Sequence, residues 1–351
     1  MLEGLIQQMA AGHHLTSEES AGVVEELVDE SVSPDLKADF LCGLALKGET
    51  VDEITAFARA LREKSVRPPL DPRWREANEI LDVCGTGGDR MNTFNISTTV
   101  ALVCAAAGVA VAKHGNRAIT SQAGSADVLE ALGVPVDLDP KRAADALQQN
   151  GFAFFFAPKY HPAFKHIGPA RKLCATRGQR TIFNFLGPLL NPAHPSAQLV
   201  GVPRPELCEA LAKVLQSLGV RRAMVVSGKV DDSAASEGSW LDELSTLGAN
   251  TIAEFYQERG FMVSDNGTGQ FQFEAATLAD LAGSDAKSNA EIVLHLLRGQ
   301  ETGPRREAVL LNAAAALFIG SRVRSLAAGW DLAADILKSG AAARKVEQLR
   351  S

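Results

Sequence analysis

The residues best suited to chemistry begin at Asp82-Val83-Cys84-Gly85-Thr86-Gly87-Gly88-Asp89, where three glycines in four positions follow an apolar run. Glycine lets a backbone adopt positive φ and come close to a ligand. Successive N–H groups in such a turn can form an anion-binding nest. A tight turn with no ligand has the same composition, so the stretch needs support from elsewhere. It matches neither G-x-x-x-x-G-K-[ST] nor G-x-G-x-x-G, so neither a triphosphate loop nor a dinucleotide fold is expected.

Support comes from four further clusters. Thr93, Asn95, Ser97, Thr98 and Thr99 place hydroxyl or amide groups at five of seven positions, just ahead of an alanine- and valine-rich helix candidate. Capping needs one such residue, and a helix N-terminus favours an anion, so the excess suggests ligand contacts. Hydroxyl oxygens can also serve a Mg²⁺ ion beside a phosphate. Lys113-His114-Gly115-Asn116-Arg117 then sets two cations around a glycine and an amide, directly after a strand candidate. A basic pair can simply face solvent, but α/β sheets bind ligands at the carboxyl ends of their strands. His114 reads more readily as a hydrogen-bonding loop residue than as a general base. Ser121 and Gly124-Ser125-Ala126-Asp127 repeat the glycine–hydroxyl theme before another helix. Lastly, Asp242-Glu243 is an adjacent acidic pair. Surface acids are common, yet beside phosphate-type loops such a pair fits Mg²⁺, which takes oxygen ligands and bridges to phosphates.

These residues need elements to hold them. The first 65 or so positions read as helices. Thr16 with Glu19 and Thr50 with Glu53 form capping-box patterns, Ser33 precedes Pro34, and Gly48 stands at a helix end. Leu36, Phe40, Leu41 and Leu44 give one apolar stripe. Pro68, Pro69 and Pro72 mark a linker. Strand candidates at 80–84, 109–112, 152–157 and 223–227 alternate with helix candidates at 95–108 and 125–132, and the tail from 289 returns to helices. That alternation predicts an α/β domain with a largely parallel sheet.

Bulk properties set the limits. The 351 residues suggest about two domains. With 46% hydrophobic and 22% charged residues the chain is globular rather than disordered. A formal charge of −7 argues against a broad nucleic-acid-binding surface, so anions must be held locally. Five scattered cysteines without a CxxC pair argue against a disulfide framework and a zinc site. Residues 1–11 carry Glu3 and no basic start before a long apolar run, unlike a signal peptide. Apolar stretches such as 100–111 are too short to span a bilayer. A soluble, cytoplasmic protein without membrane association is expected.

Gly85-Thr-Gly-Gly-Asp89, Asn95-Ile-Ser-Thr98, Lys113-His-Gly-Asn-Arg117 and Gly124-Ser-Ala-Asp127 occur in this order, and near this spacing, in a known family. With Tyr160-His-Pro-Ala163, Arg180-Thr-Ile-Phe-Asn184, Gly187-Pro-Leu189, Asn191-Pro192, Asp285-Ala-Lys287, Gly303-Pro-Arg305 and Asn312-Ala-Ala-Ala315, the chain resembles anthranilate phosphoribosyltransferases over nearly its whole length. The resemblance implies a small all-helical N-terminal domain, residues 1–70, joined by a helical excursion near 168–195. It implies a large α/β domain, residues 71–351, whose mostly parallel central sheet is flanked by helices. It also implies a homodimer formed through the helical domain. The implied reaction, a step of tryptophan biosynthesis, moves a phosphoribosyl group from 5-phosphoribosyl 1-pyrophosphate to the amine of anthranilate.

Carried over by residue, the resemblance makes Gly85, Gly88, Asp89, Thr93, Asn95, Ile96, Ser97 and Thr98 the phosphoribosyl pyrophosphate loop. Lys113, His114, Gly115, Asn116, Arg117 and Ser121, with Ser125, become the second wall of that site. Asn116 and Arg171 become anthranilate contacts, and Ser97, Asp242 and Glu243 become Mg²⁺ ligands. The chain departs from the family in three places. The segment from Arg171 to Arg180 is about two residues longer than usual, the stretch between Gly228 and Asp242 is extended, and Ser227 stands where a histidine is common. Pyrimidine nucleoside phosphorylases share the architecture and a lysine-histidine-glycine loop. They usually carry glycine at the place of Asn116 and lack the acidic pair. A non-catalytic, nucleic-acid-binding relative would want basic patches, which the net charge opposes. An aniline-type amine is neutral at pH 7 and already nucleophilic, so no single general base is expected.

Overall fold

The computed structural model describes residues 1–118, 122–232, 238–257, 260–265 and 268–350. The chain opens with α1 (Leu2–Ala10), α2 (Ser17–Val28), α3 (Pro34–Lys47) and α4 (Val51–Glu63). The caps read from the sequence set their starts. Thr16 and Thr50 accept from the N–H three residues on, and Glu19 and Glu53 reach back to the cap N–H. Ser33 accepts from Leu36 N–H with Pro34 inside the first turn, and Gly48 closes α3 at φ 86°. The proline run is not all linker: Asp71 caps a short helix, α5 (Pro72–Ala77), which Pro72 begins. A proline lacking an N–H costs little there.

The strands are β1 (Ile80–Gly85), β2 (Ala110–Gly115), β3 (Phe152–Phe156), β4 (Ala197–Gly201), β5 (Arg222–Lys229), β6 (Trp240–Leu241), β7 (Asn250–Tyr256) and β8 (Gly260–Asp265). They form one sheet in the order β3-β2-β1-β4-β5-β7-β8, with β6 beside β5. From β3 to β5 all pairings are parallel. The pairings of β6, β7 and β8 are antiparallel, an extension the apolar runs did not announce. Helices α6 (Ile96–Ala106), α7 (Ser125–Ala131), α8 (Pro140–Asn150), α9 (Ala157–Tyr160), α10 (Gly168–Thr176), α11 (Glu206–Ser217), α12 (Ala286–Leu297), α13 (Pro304–Ile319), α14 (Leu326–Lys338) and α15 (Ala341–Leu349) complete the chain.

Strand alternation sorts the core into two faces. Leu81, Val83, Met224 and Val226 point to one side, against α6, α13 and the C-terminal helices. Ala223 and Val225 point to the other, in one apolar cluster with α11 and the N-terminal helices. Helix α4 packs on α11 and α10 on α3. The buried Lys37 ammonium donates to the Asp29 and His166 carbonyls at 2.6 and 3.1 Å, tying α3 to the segment before α10. No helix among the described residues is long and apolar enough to cross a membrane. The parallel strands β1, β2 and β4 all end in glycine, and Gly85 lies in register with Gly201.

Candidate active site

Asp242-Glu243, arriving from β6, lies across the ends of β1 and β4. A Cβ on Gly201 would overlap the Asp242 carbonyl, and one on Gly85 would overlap the Asp242 carboxylate. Glycine at both strand ends therefore lets the acidic pair settle against the sheet. Asp242 Oδ2 accepts from Gly87 N–H at 2.6 Å, where Gly87 and Gly88 take φ of 76° and 86°. Glu243 accepts from Ser97 N–H at 3.1 Å and so caps α6 from a distance of 146 residues in sequence. Asn95 makes no side-chain cap of its own. It accepts from Asn289 Nδ2 at 2.9 Å and donates to the Ala123 carbonyl at 3.3 Å. Lys113 is buried; its Nζ donates to the Val83 carbonyl at 2.7 Å and to Ser97 Oγ at 3.3 Å.

Charge at this wall is unbalanced. Burial, then Asp89 and Glu243, raise the Asp242 carboxyl well above the usual range. Burial pushes Glu243 up to about 7, with Lys113 and the Ser97 N–H opposing. Burial lowers Lys113, with Asp82 opposing. Lys113 thus opposes the charge of Asp82 and Glu243, while Asp89, Asp242 and Glu243 crowd together. Their oxygens are hard donors suited to a hard divalent cation. Among the described residues no His, Cys, Asp and Glu grouping encloses an ion by itself. That fits Mg²⁺, which usually takes one or two carboxylates and fills its other positions with water and phosphate.

The adjoining wall is built differently. Asp82, fully buried beneath it, accepts from Asn191 Nδ2 at 2.8 Å and from His114 N–H at 3.4 Å, and burial pushes it up to about 6. The His114 ring meets His161 edge-on at 5.2 Å between centroids. His161 leads to Phe164 at 5.1 Å, Phe164 to Phe183 at 5.8 Å, and the Arg171 guanidinium sits 5.4 Å over Phe183. Burial first, and the neighbouring His161 second, push His114 down to about 3; burial pushes His161 down to about 4. Both rings are neutral at pH 7. His114 Nε2 and both His161 nitrogens are buried without a well-formed hydrogen bond. From the 168–195 segment, Arg180 Nη2 donates to the Gly88 carbonyl at 3.4 Å and so touches the glycine loop.

The remaining expected residues fall around these walls. Ser125 is tucked against Gly115, whose Cβ would overlap the Ser125 hydroxyl. Asn116 accepts from Ala126 N–H through its carbonyl at 3.3 Å and from Arg117 N–H through Oδ1 at 2.8 Å. The Arg117 guanidinium is held by Glu130 at 2.7 Å and Asp127 at 3.2 Å. Thr93 bridges to Ala282, Asp89 Oδ1 accepts from Met91 N–H at 3.1 Å, and Ile96 lies in the core. Thr98 Oγ1 is buried without a partner. Ser121 lies outside the described residues. Sequence reasoning missed His161, Asn191 and Gly201 as parts of this arrangement, and named Asp82 only as the start of the glycine-rich stretch. His161 and Asn191 stood inside quoted motifs, but a single histidine or asparagine carries no sign of its neighbours.

A glycine-ended, largely parallel sheet beside a helical bundle is the architecture of a known class of glycosyl transferases. The chain matches the model of the glycosyl transferase family a/b domain over residues 77–343 and that of the family's helical bundle domain over residues 3–65. An anthranilate phosphoribosyltransferase from Pelotomaculum thermopropionicum is 44% identical across 99% of this chain and 96% of its own. One from Brevibacillus brevis is 44% identical across 100% and 97%. The crystal structure of the Thermus thermophilus enzyme of that name aligns with a TM-score of 0.85 at 39% identity, covering 98% of each chain. The Saccharomyces cerevisiae enzyme in complex with PRPP and Mg aligns at 0.84 and 25% identity, covering 99% of this chain and 96% of the other. The chain belongs to the anthranilate phosphoribosyltransferase family.

Proposed function

We propose that this protein transfers the phosphoribosyl group of 5-phosphoribosyl 1-pyrophosphate to the amine of anthranilate, releasing pyrophosphate, as a step of tryptophan biosynthesis. The observation that carries this reading is the meeting of the glycine loop, the α6 N-terminus, Lys113 and Asp242-Glu243 beside a neutral imidazole–aromatic wall. Gly85, Gly88, Asp89, Thr93 and the 95–98 segment receive the phosphoribosyl pyrophosphate, with Lys113 to Arg117, Ser121 and Ser125 opposite. Asn116 and Arg171 take anthranilate, and His161 joins them. Ser97, Asp242 and Glu243, together with Asp89, would hold Mg²⁺. When bound, that ion supplies Lewis-acid neutralisation of the leaving pyrophosphate.

The chain's own part is positioning and charge stabilisation. The loop and the α6 N-terminus would receive the leaving group, and Lys113 adds a fixed cation. The amine lone pair forms the new C–N bond at the anomeric carbon as the C–O bond to pyrophosphate breaks. The resulting arylammonium is strongly acidic and gives its proton to water, so no dedicated base is required. His114 and His161, being neutral, can hydrogen-bond the aromatic acid and its amine.

In the same reading, residues 1–70 with the 168–195 excursion act as a small helical domain on a catalytic domain of residues 71–351. Two copies pair through the helical domain, in the cytoplasm. The exposed Leu46 of α3, 77% accessible, supports that pairing. The test is enzymatic. Anthranilate fluorescence should fall when the protein, Mg²⁺ and phosphoribosyl pyrophosphate are mixed, while thymidine with phosphate stays unchanged. Turnover of thymidine instead would make the protein a nucleoside phosphorylase.

A further inference from the structure

Arg62 is buried where an isolated charge is costly. It lies near the end of α4, is 6% exposed, and donates Nε to the Leu189 carbonyl at 2.5 Å. Its Nη2 is buried without a partner. Arg75 of α5 holds the same returning loop: Nη1 donates to the Ala193 carbonyl at 2.7 Å and Nη2 to the His194 carbonyl. His194 sits at φ 48°, a left-handed conformation unfavourable for a residue with a Cβ, and its Nε2 is also buried and unpartnered.

Arg62 and Arg75 place two positive charges around the His194 imidazole, which is itself neutral near pH 7. Burial first, then Arg59 and Arg75, lower Arg62 to about 10. Burial first, then Arg62, Arg67 and Arg75, lower His194 to about 4. Arg67 likewise opposes the charge of Arg75. Among the described residues no carboxylate acts on Arg62, Arg75 or His194, and no ion pair includes Arg62, Arg67 or Arg75. A buried guanidinium is ordinarily paired, because desolvation without a counter-charge is strongly unfavourable.

We propose that Arg62, Arg67, Arg75 and His194 form a binding site for a tetrahedral oxyanion of the phosphate class, distinct from the loop that receives pyrophosphate. Guanidinium forks match phosphate oxygens in pairs, and a tetrahedral anion offers acceptors in several directions at once. A carboxylate has two oxygens and satisfies one fork. The position gives the anion a consequence. Arg62 and Arg67 flank the chain as it leaves α4, Arg75 follows, and Leu189 to His194 is the segment returning to β4. An anion there ties the outgoing and returning crossings together. It also screens Arg62, whose charge acts on His114. The inference does not rest on the proposed reaction.

The test uses thermal unfolding of the full chain without divalent metal. Phosphate, pyrophosphate and acetate are compared at ionic strength matched with sodium chloride. Phosphate should raise the midpoint saturably by about 2–4 °C, as expected of a ligand bound only by the folded state. Acetate should not, and the pyrophosphate arm shows which oxyanion the site prefers. Arg75→Gln combined with His194→Gln should lose the rise, whereas Ser97→Ala, in the other phosphate wall, should keep it. Arg62→Met should unfold no lower than the parent in phosphate-free buffer, since it removes an unpaired buried charge. A phosphate effect no larger than that of chloride overturns the site. So does a rise that survives in the Arg75/His194 variant but vanishes in Ser97→Ala. An Arg62→Met protein that unfolds well below the parent without phosphate would make the guanidinium a structural link to Leu189.

Discussion

The two walls of the proposed active site treat charge in opposite ways. At the ends of β1 and β4, glycines let Asp242-Glu243 press against the sheet, so carboxylates, a buried lysine and a helix N-terminus crowd together. Beside them, His114, His161, Phe164 and Phe183 form a wall whose imidazoles burial keeps neutral, with Arg171 as its cation. One wall suits a polyanion that brings its own metal, and the other suits a neutral arylamine carrying one carboxylate. The division matches a reaction between a phosphorylated sugar and an aromatic amine. It predicts that damage to each wall shows in a different kinetic constant.

The largest effect should come from Asp242→Asn with Glu243→Gln, which keeps the shape and removes the charge. Turnover should fall about 10²–10³-fold, in the range seen when one group stabilising transition-state charge is lost. The half-saturating Mg²⁺ concentration should rise while the Michaelis constant for anthranilate stays near its parent value. Unaltered metal dependence would dissolve the distinction between the walls.

Arg171→Ala should act on the other substrate. Loss of one hydrogen bond to a charged group predicts a Michaelis constant for anthranilate raised roughly 10–100-fold. The constant for phosphoribosyl pyrophosphate should hardly move. The reverse pattern in steady-state kinetics would place the carboxylate contact elsewhere.

Gly201→Ala probes how the first wall is built. Its Cβ would overlap the Asp242 carbonyl, so the acidic pair must shift. Overpacking of this kind costs about 1–3 kcal/mol, measurable by denaturant unfolding. Parental stability and parental Mg²⁺ dependence together would show that the close approach is unimportant.

The last effect concerns pH. His161 is held at about 4 in the folded chain, below the ordinary value of 6.5. A depressed histidine means that the unfolded state binds more protons between those values. Its contribution to stability is therefore complete above about pH 6.5 and is lost as pH falls toward 4. His161→Gln should lose less stability than the parent over that window, by about 3 kcal/mol. Asp82, pushed up to about 6, works in the opposite direction, but it is present in both proteins and cancels in the comparison. Identical acid limbs in the two proteins would mean that His161 is not buried neutral.

Much of this arrangement could be read from the chain because it is local. Thr16, Ser33 and Thr50 cap helices through residues three positions away, and the glycine loop follows β1 directly. What escaped notice depends on distant partners. Glu243 caps α6 from 146 residues away, and the His114–His161 contact joins two loops. Strand β4 reads poorly as a strand because its Gln198 is polar yet buried, its Nε2 donating to the Pro188 carbonyl at 2.9 Å. Edge strand β8 lacks a buried face, so no apolar alternation marks it.

The most direct test counts molecules. Purified protein with Mg²⁺, phosphoribosyl pyrophosphate and anthranilate should release one pyrophosphate for each anthranilate consumed, with no release when anthranilate is omitted. Anthranilate fluorescence that stays constant, or pyrophosphate released without anthranilate loss, would contradict the account.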